Sequence, residues 1–394
     1  MRLIVHDFAG HPFQLDLSRT LARRGHEVLH LYCASLTTTP QAARADAADP
    51  RTLRVEGLEI PGFSKTNLVK RFLGERRYGV RFAARIRAFR PDVVLSANTP
   101  LDAQAQALKA ARAVGARFDF WLQDLIGEAT ARLLARRLPV VGTLAGYYYR
   151  RLEARLLRRS DAIVAITEDF RPLLVAMGVE ESRMHVVENW APVATMPLRP
   201  QDNPWSREHG LAGREVLLYA GTLGLKHNPD LLVKLAEALR DRPGAAVVVT
   251  SHGAGADHVH REAVRRGLSN LRVIGFQPFE AMPDVLATAA VLVTILEPDA
   301  GVFSVPSKVL TNLCAGRAQL LAVPTENLAA RLVERLGAGL VVLPNDPKAF
   351  VAAARTLLDD AARRAAMGEA ARRHAEGAFE AGTIADRFEA ILRR

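Results

Sequence analysis

The chain has 394 residues, of which 49% are hydrophobic and 24% are charged. This composition is typical of a globular protein and excludes general disorder, and the length exceeds what one hydrophobic core usually supports. The 53 Lys and Arg against 42 Asp and Glu give a net charge of +11, which favours an anionic partner such as nucleic acid, a membrane surface or a phosphorylated small molecule.

The two cysteines, Cys33 and Cys314, lie far apart in apolar segments, with no CxxC pair and no Cys/His cluster at metal-binding spacing. We therefore expect buried thiols in a reducing compartment. The first residues contain too short an apolar run for a signal peptide, and no stretch is long enough to span a bilayer. The sequence predicts a cytoplasmic protein that is peripheral to the inner face of the plasma membrane.

The chain begins with a strand–helix–strand pattern, with strands at 2–6 and 27–32 and a helix at 13–24 between them. The loop after the first strand lacks the GxGxxG spacing, so no dinucleotide cofactor is expected. In this loop Gly10 lets the backbone approach a ligand closely, and His11 can donate a hydrogen bond to one. The structural alternative for His11 is a surface histidine at a helix start.

After a short β region at 53–60, the segment 68–89 alternates basic and apolar residues at helical spacing. It predicts an amphipathic helix that either packs on the protein or lies in an anionic lipid surface, and a solvated basic face is the commoner explanation. The alternating residues are Lys70, Arg71, Arg76, Arg77, Arg81, Arg85 and Arg87, with Phe72, Tyr78, Phe82 and Ile86 between them.

The next strands bring polar residues to one edge of the predicted sheet. A strand at 92–97 is followed by Asn98, and a strand at 117–122 is followed by Gln123 and Asp124. Asp124 is the carboxylate directly after that strand, which makes it a candidate to hold or deprotonate a hydroxyl group. Its alternative role is to cap the next helix.

The first half closes with a second basic region at 129–160, which contains three consecutive tyrosines at 147–149. It suits docking to lipid headgroups, and it also suits a packed helical pair with a charged outer face. A strand at 161–166, a helix at 168–177 and a strand at 184–187 then complete a Rossmann-like half.

A second α/β half starts with a strand at 215–220, which is followed by GTLGLKHNPD. Its glycines Gly221 and Gly224, with Lys226 and a helix start near Asn228, predict a site for a diphosphate. Strands at 245–250 and 271–274 follow, and a helix at 279–289 comes next.

The stretch LEPDAGVFSVPSKVLTNLCAGR follows a buried strand at 290–295. Glu297 and Asp299 lie just past the carboxyl end of this strand, where parallel sheets bind ligands. Ser307 and Lys308 open a short helix that ends at Gly316, and together they predict an anion pocket. The alternative is an ordinary capped helix with a solvated lysine.

The order of elements, with AGHPF, GTLGLKHNPD, PSKVLTNLCAG and the tail RRHAEGAFEAGTIADRFEAIL, resembles the GT-B glycosyltransferases of family 4. The segments WLQDLIGEA, VENWAPV and VPSKVL are most similar to the bacterial O-antigen and colanic-acid type. The resemblance covers nearly the whole chain. It implies an α/β GT-B fold, with two facing Rossmann-like domains, an interdomain cleft and a C-terminal helical tail.

The resemblance also implies a domain plan. We expect an acceptor domain at 1–190, a proline-rich linker at 191–205 and a nucleotide-sugar donor domain at 206–375. A C-terminal helix at 376–394 is expected to pack back on the N-terminal domain.

The implied activity is retaining, metal-independent transfer of a hexosyl or N-acetylhexosaminyl group from a nucleoside-diphosphate sugar, with no cofactor. Protein cations must then stabilise the leaving diphosphate. The basic, aromatic regions of the first half favour a glycan acceptor linked to polyprenyl diphosphate, in surface polysaccharide biosynthesis, and an anionic membrane as a partner.

The resemblance also implies roles for single residues. Lys226 matches the family's phosphate-binding lysine, and Thr222 stands where most relatives have an arginine. The family's paired glutamates would fall on Phe303 and Thr311, and both are absent here, while Lys308 restores a positive charge. Catalytic roles are predicted for Asp124, Lys226 and Lys308, and acceptor binding for His11, Asn98, Gln123 and Asp124. The predicted donor-binding residues are Gly10, Thr222, Lys226, Gly253, Gly275, Phe276, Glu297, Asp299, Ala300, Gly301, Val302, Ser307, Lys308 and Thr311.

Two other classes stay open. A nucleotide-sugar epimerase of GT-B fold would share the diphosphate site but need no acceptor. A degenerate or basic binding protein would fit the net charge of +11 and the missing glutamates, but no recognition motif for RNA or DNA is visible, so no nucleic-acid partner is expected.

Overall fold

The computed structural model describes residues 1–36, 45–61, 68–97, 99–128, 130–131, 139–224, 227–296, 298 and 306–394. These residues divide into two compact units. The first unit comprises Met1–Glu188 with Ala381–Arg394, and the second unit comprises Asn189–Glu380. None of the described helices is long and apolar enough to cross a bilayer.

The described part of the first unit contains a seven-stranded sheet in the order β3-β2-β1-β4-β5-β6-β7. Every neighbouring pair is parallel. The strands are β1 Arg2–Asp7, β2 Glu27–Cys33, β3 Leu53–Leu58, β4 Val93–Ala97, β5 Arg117–Leu122, β6 Ala162–Ala165 and β7 Met184–Val186. The helices are α1 Pro12–Arg23, α2 Leu68–Phe89, α3 Leu101–Ala113, α4 Pro139–Arg159 and α5 Arg171–Ala176, with the C-terminal helix Ala381–Leu392.

The described part of the second unit contains a six-stranded parallel sheet in the order β10-β9-β8-β11-β12-β13. Its strands are β8 Glu215–Ala220, β9 Ala245–Thr250, β10 Leu271–Ile274, β11 Val291–Ile295, β12 Ala318–Ala322 and β13 Gly339–Val342. Its helices are α6 Pro204–Glu208, α7 Asp230–Ala238, α8 Ala254–Arg266, α9 Met282–Ala287, α10 Lys308–Cys314, α11 Leu328–Leu336, α12 Pro347–Asp359 and α13 Ala361–Ala378.

The strand sequences explain why both sheets are buried on their two faces. The strands β8, β9 and β11 read EVLLYA, AAVVVT and VLVTI, which are continuous apolar runs, and almost every residue in them is buried. Such runs are typical of parallel strands that are covered by helices on both sides. The apolar core of the second unit therefore lies between its sheet and the covering helices.

Each sheet reverses its strand order once. The chain moves from β1 to β2 and β3 on one side and then continues with β4 on the other, and β8, β9, β10 and β11 repeat this pattern. Open parallel sheets bind ligands at such reversals, outside the carboxyl ends of the strands. The β1/β4 edge and the β8/β11 edge are therefore the two places to search for sites.

The C-terminal helix is part of the first unit. Arg24 Nη1, just after α1, donates to Asp386 Oδ1 at 2.6 Å, and the ring of Trp121 contacts the ring of Phe388 at 4.8 Å. His26 Nε2 lies 2.6 Å from Glu389 Oε1. Both ion pairs join residues that are more than 300 positions apart in the chain, so they fix the tail to the start of the fold.

Two predicted helices are shorter than expected, and a proline explains each case. The predicted helix at 168–177 begins as a 3₁₀ turn at Glu168–Phe170, and α5 starts only next to Pro172. The predicted helix at 279–289 likewise becomes a 3₁₀ turn followed by α9, which starts next to Pro283. Proline lacks an amide N–H and fits only the first turn of a helix.

Candidate functional site

Lys308 is the central charged group at the β8/β11 edge. Its Nζ is buried and has no hydrogen-bond partner among the described residues. It lies 3.7 Å from the centroid of the Tyr219 ring, and a Cβ built on Gly221 would lie 3.5 Å from it. Burial lowers the pKa of Lys308 to about 7. Lys308 is therefore about half protonated at pH 7; the Tyr219 ring favours its charged form, and no carboxylate or carbonyl of the described residues accepts a hydrogen bond from its Nζ.

The two glycine amides of the loop after β8 already have acceptors. Gly221 N–H donates to the carbonyl of Thr250 at 3.0 Å, and Gly224 N–H donates to His227 Nδ1 at 2.9 Å. The Tyr219 hydroxyl donates to the carbonyl of Thr222 at 2.8 Å. The amides of Gly221 and Gly224 therefore shape the loop and are not free to bind a diphosphate.

The loops after β9 and β10 bring two rings together. His252 and Phe276 are both exposed, and their ring centroids are 3.9 Å apart in an edge-to-face arrangement. Gly253 has a φ of 91°, a conformation that favours glycine, and no atom lies within 4 Å of a Cβ built on Gly253 or on Gly275. These loops therefore offer an open, partly aromatic surface at the same edge as Lys308.

The other predicted donor-binding residues differ in their placement. Thr222 and Ser307 are exposed, and Thr311 is half-buried one turn after Lys308. Ser307 has helical φ and ψ angles and its side chain makes no capping hydrogen bond. Outside the described residues lie Lys226, Glu297, Asp299, Ala300, Gly301 and Val302.

At the carboxyl end of β1, a buried carboxylate organises the loop that carries His11. Asp7 Oδ1 accepts the amide N–H of Ala9 at 3.0 Å, and its Oδ2 accepts the amide N–H of His11. His11 Nδ1 also lies 2.9 Å from Oδ2 of Asp7. Gly10, in the same loop, is buried with a φ of 73°, which favours glycine.

The Asp7–His11 pair shifts both pKa values. Burial acts to raise the pKa of Asp7, but the charge and hydrogen bonds of His11 outweigh it and hold this pKa below its ordinary value. Burial acts to lower the pKa of His11, but Asp7, with a smaller contribution from Asp124, raises it. His11 is therefore more fully protonated at neutral pH than a free histidine, and its charge points to the same edge as Asp124.

At the carboxyl end of β5, Gln123 is buried and Asp124 is exposed. Surrounding protein atoms nevertheless desolvate the carboxyl group of Asp124 and raise its pKa, and the charge of His11 opposes that rise. The structure thus brings His11, Gln123 and Asp124 to one edge of the first sheet, as predicted. Asn98, the remaining predicted acceptor residue, lies outside the described residues.

A closed polar network fills the interior just below this edge. His6 Nδ1 lies 2.9 Å from Ser96 Oγ and 3.0 Å from Thr99 Oγ1, and His6 Nε2 lies 2.7 Å from the Tyr78 hydroxyl. Ser96 Oγ donates to Gln104 Oε1 at 2.8 Å. Burial lowers the pKa of His6 to about 3, so this histidine is neutral and structural.

An exposed surface of aromatic, apolar and basic residues covers parts of α2 and α4. Both helices contact α3, through Gln106 Nε2 to the carbonyl of Arg76 at 3.1 Å and through the Tyr149 hydroxyl to Asp102 Oδ2 at 3.0 Å. We call this exposed surface of α2 and α4 the aromatic-basic face. It comprises Phe72, Leu73, Arg76, Val140, Leu144, Tyr147, Tyr148 and Arg151. The other aromatic residues of α2, Tyr78, Phe82 and Phe89, are buried.

Sequence reasoning missed three residues that shape these sites. Asp7 orients His11, and an Asp and a His four positions apart at a strand end was the signal for it. Tyr219 supports Lys308, but only the folded sheet shows that a core tyrosine faces that lysine. His252 pairs with Phe276, and nothing in the spacing of these two residues indicates the contact.

The chain matches two family models. Residues 10–190 match the glycosyl transferase 4-like domain, and residues 201–374 match the glycosyl transferases group 1. The chain therefore belongs to the family 4 glycosyltransferases of GT-B fold. Both the predicted family and the predicted fold class are confirmed.

Individual proteins show the same relationship. The chain is 31% identical over 262 residues to a D-inositol 3-phosphate glycosyltransferase of Kineococcus radiotolerans, covering 61% of this chain and 59% of that protein. It is 23% identical over 206 residues to the putative colanic acid biosynthesis glycosyl transferase WcaI of Escherichia coli, covering 51% of this chain and 50% of WcaI. The chain thus matches little more than half the length of these curated relatives.

A solved structure shows the fold over the whole length. HepE of Anabaena, crystallised in complex with UDP, superimposes with a TM-score of 0.71 at 15% identity, and the match covers 100% of both chains.

Proposed function

We propose that the chain is a retaining glycosyltransferase that moves a sugar from a nucleoside-diphosphate sugar to a glycan acceptor. The observation that carries this proposal is Lys308, a lysine whose buried Nζ has no hydrogen-bond acceptor among the described residues, at the edge where parallel sheets bind ligands. An anionic ligand would favour its protonated form. A diphosphate supplies the missing acceptor oxygens. The relatives named as glycosyltransferases and the UDP complex of HepE support a nucleotide sugar as the donor.

The chemistry needs a cation where the leaving group forms. The acceptor oxygen attacks the anomeric carbon on the face that the diphosphate leaves, and the bond between that carbon and the phosphate oxygen breaks with its electron pair going to the diphosphate. The acceptor proton passes to a departing phosphate oxygen. Lys308, together with Lys226, neutralises the charge that develops, and removing one such contact costs about 3–4 kcal/mol of barrier.

The first unit is proposed to hold the acceptor hydroxyl. Asp124 accepts the hydrogen bond of that hydroxyl, and protonated His11 donates to a neighbouring oxygen of the acceptor. Because the departing phosphate takes the proton, Asp124 orients the hydroxyl and need not act as the base. The exposed position of Asp124 and the charge of His11 support these roles.

We propose that the transferred group is a hexosyl or N-acetylhexosaminyl group. We also propose that turnover needs neither a metal nor a cofactor, because lysines neutralise the negative charge of the leaving diphosphate that a metal ion would otherwise neutralise. EDTA at millimolar concentration should leave the rate unchanged. A rate that falls with EDTA and recovers with added Mg²⁺ or Mn²⁺ would contradict this part of the proposal.

The acceptor is proposed to be a sugar on polyprenyl diphosphate, used in the assembly of a surface polysaccharide such as an O-antigen. The relative named for colanic acid biosynthesis supports the polysaccharide, and the aromatic-basic face supports an anionic membrane surface at the cytoplasmic side. In this face Tyr147 is 54% exposed and carries Arg151 over its ring at 4.6 Å, while Val140 is 76% exposed. Tyrosine rings and arginines are suited to the headgroup layer.

A transfer assay tests the central proposal. The protein is incubated with UDP-glucose, UDP-N-acetylglucosamine and GDP-mannose, each with and without polyprenyl-diphosphate-linked N-acetylglucosamine. We expect release of one nucleoside diphosphate that requires the acceptor, and a product whose NMR coupling shows the donor's anomeric configuration. Conversion of a nucleotide sugar to an isomer without acceptor would instead show an epimerase.

Vesicle flotation tests the membrane part. The wild type should float with vesicles of phosphatidylglycerol but not with vesicles of phosphatidylcholine alone, and binding should weaken with salt. Replacing both Tyr147 and Tyr148 with serine should reduce flotation, while replacing the exposed Lys109 on α3 with methionine serves as the matched control. Equal flotation of wild type and the tyrosine variant would contradict the role of this face.

A further inference from the structure

Glu153 is a buried carboxylate in a helix that is otherwise rich in arginine. Its side chain lies in the middle of α4 and is only 1% exposed. The neighbouring arginine of the same helix, Arg150, points elsewhere and donates to Glu128 Oε2 at 2.7 Å. Burying a carboxylate without a cation is costly, so the surroundings of Glu153 must compensate for it.

The compensation comes from the backbone of the segment after β5. Glu153 Oε1 accepts the amide N–H of Gly127 at 3.0 Å, and the amide of Ile126 also stabilises the carboxylate. Residues 126–128 begin a helical turn, whose first amides have no acceptor within the turn itself. Glu153 therefore caps this turn from another helix.

Gly127 makes this approach possible. A Cβ at this position would lie 2.7 Å from Glu153 Oε2 and 2.9 Å from the carbonyl oxygen of Tyr149, both closer than real Cβ contacts. The contact thus depends on a pair of residues, a glycine in the segment and a glutamate in the helix. Any larger residue at 127 would push the segment away from α4.

The capped segment carries the proposed acceptor residue. We call residues 123–128 the acceptor loop; it includes Asp124, whose carbonyl accepts the amide N–H of Ile126 at 3.0 Å. The loop is fixed to α4 twice, by the buried Glu153–Gly127 bond and by the exposed Arg150–Glu128 pair. The buried bond is the one that solvent does not weaken.

We propose that Glu153 is a positioning residue, which holds the acceptor loop through the amide of Gly127 and whose ionisation sets how firmly Asp124 is held. The role of Asp124 rests on the proposed function. The coupling between Glu153 and the loop rests only on the contacts described above.

The surroundings of Glu153 decide how opening of the acceptor loop depends on pH. Burial raises the pKa of Glu153 to about 7, the amides of Gly127 and Ile126 oppose the rise, and the charges of Glu128 and Asp124 add to it. Its Oε2 has no hydrogen-bond partner among the described residues. When the loop opens and water reaches the carboxyl group, its pKa returns to about 4.3. The closed loop therefore binds more protons, so opening becomes easier as pH rises from about 4.3 to 7 and is constant above that.

Hydrogen–deuterium exchange with mass spectrometry tests the proposal on the full chain. The readout is the protection factor of the acceptor loop from pH 5 to 8.5, corrected for the intrinsic exchange rate. In the wild type we expect protection to fall at least about tenfold between pH 5 and 7 and then to stay level. In Glu153→Gln, which keeps an acceptor oxygen but cannot ionise, protection should not change with pH.

Two further variants separate the buried bond from the exposed one. Glu153→Ala should lose most of the loop's protection at every pH, with no change in α3, while Arg150→Met should have a small effect. The same pH dependence in Glu153→Gln as in the wild type, or unchanged exchange in Glu153→Ala, would overturn the proposal.

The transfer assay adds a functional readout. The wild-type rate should fall relative to that of Glu153→Gln as pH rises from about 5 to 7 and the ratio should then stay level, because the loosened loop holds Asp124 less firmly. A purely structural glutamate would leave the two pH profiles parallel. If no nucleotide sugar is turned over, the proposed function fails, and the exchange measurement still decides the role of Glu153.

Discussion

The strand order reverses at one edge of each sheet, and the two edges differ in whether their buried polar groups have hydrogen-bond partners. At the β1/β4 edge of the first unit, His6, Ser96, Thr99 and Tyr78 are all buried and satisfy one another. At the β8/β11 edge of the second unit, Lys308 is buried beside Tyr219 with no acceptor among the described residues. A closed network stabilises the fold, whereas a buried, unpaired charge destabilises it, and the proposed diphosphate would supply the missing acceptor oxygens.

The same contrast appears within the first unit. At the rim above the closed network, His11 is half-buried and Asp124 is exposed, while the buried Asp7 holds His11 through Nδ1 at 2.9 Å. Polar groups in the network thus serve folding, whereas His11 and Asp124 at the rim are the groups that we propose contact the acceptor. The following predictions test this division, from the largest expected effect to the smallest.

Removing the unpaired cation should have the largest effect on activity. In Lys308→Met, turnover should fall by about 10²–10³, because the leaving diphosphate loses a preorganised charge. Lys308→Arg should retain more activity than Lys308→Met, since the charge is kept. The transfer assay measures both rates, and Lys348→Met, an exposed lysine of the same unit, is the matched control. A Lys308→Met enzyme with wild-type turnover would remove Lys308 from the mechanism.

The same substitution should stabilise the ligand-free protein. The pKa of Lys308 is lowered to about 7, whereas in the unfolded chain it is about 10.4, so the folded state binds fewer protons between these values. This destabilisation is absent above about pH 10.4, grows as pH falls and is complete below about 7. The shift corresponds to at most about 5 kcal/mol, and the cation–π contact with Tyr219 favours the charged form and makes the cost smaller.

Urea unfolding of wild type and Lys308→Met at pH 7 and pH 9.5 measures this effect. The gain in the variant should be larger at pH 7. A variant that is less stable than the wild type at pH 7 would show that Lys308 has a partner in the free protein.

Breaking the closed network should cost stability and leave ligand binding unchanged. In Tyr78→Phe, Nε2 of the buried His6 loses its partner, which costs about 1–3 kcal/mol. Thermal unfolding should show the loss, and the stabilisation by a nucleoside diphosphate should equal that of the wild type. A selective loss of nucleotide binding in Tyr78→Phe would contradict the claim that the closed network at the β1/β4 edge serves folding and not ligand binding.

The Asp7–His11 pair should give the smallest effect, of about 1 kcal/mol, and only at low pH. Because the folded state raises the pKa of His11, the stabilisation is complete below about 6.5, the unfolded value, and is lost as pH rises through the folded pKa. The melting temperatures of wild type and His11→Gln should therefore differ at pH 6 and converge at pH 9. A difference that stays constant with pH would show that the charge of His11 does not contribute.

The sequence predicted the parts of the molecule that depend on regular patterns. The helix at 68–89 and the strands at 215–220, 245–250 and 271–274 have the predicted bounds, because apolar periodicity and flanking glycines define them. His11, Gln123 and Asp124 were predicted to share an edge because the carboxyl ends of parallel strands meet there.

Contacts that join distant positions could not be predicted. Lys308 and Tyr219 are 89 positions apart, and only the pairing of β8 with β11 brings them together. In the sequence Glu153 is a single acidic residue in a basic helix, with no sign that it is buried. Its contact with the acceptor loop depends on the glycine at 127. Periodicity describes which face of a helix is apolar, but it does not show that a carboxylate on that face has a backbone partner.

The most direct test of the central claim is a thermal-shift titration with UDP, GDP, ADP and CMP on wild type, Lys308→Met, Lys308→Arg and the Lys348→Met control. A ligand at about a hundredfold over its dissociation constant adds roughly 2.7 kcal/mol of stability, which raises the melting temperature by several degrees in a unit of this size. We predict that one nucleoside diphosphate stabilises the wild type and the control, stabilises Lys308→Arg less and leaves Lys308→Met unchanged. Equal stabilisation of Lys308→Met and wild type would contradict the claim that Lys308 is retained for a diphosphate.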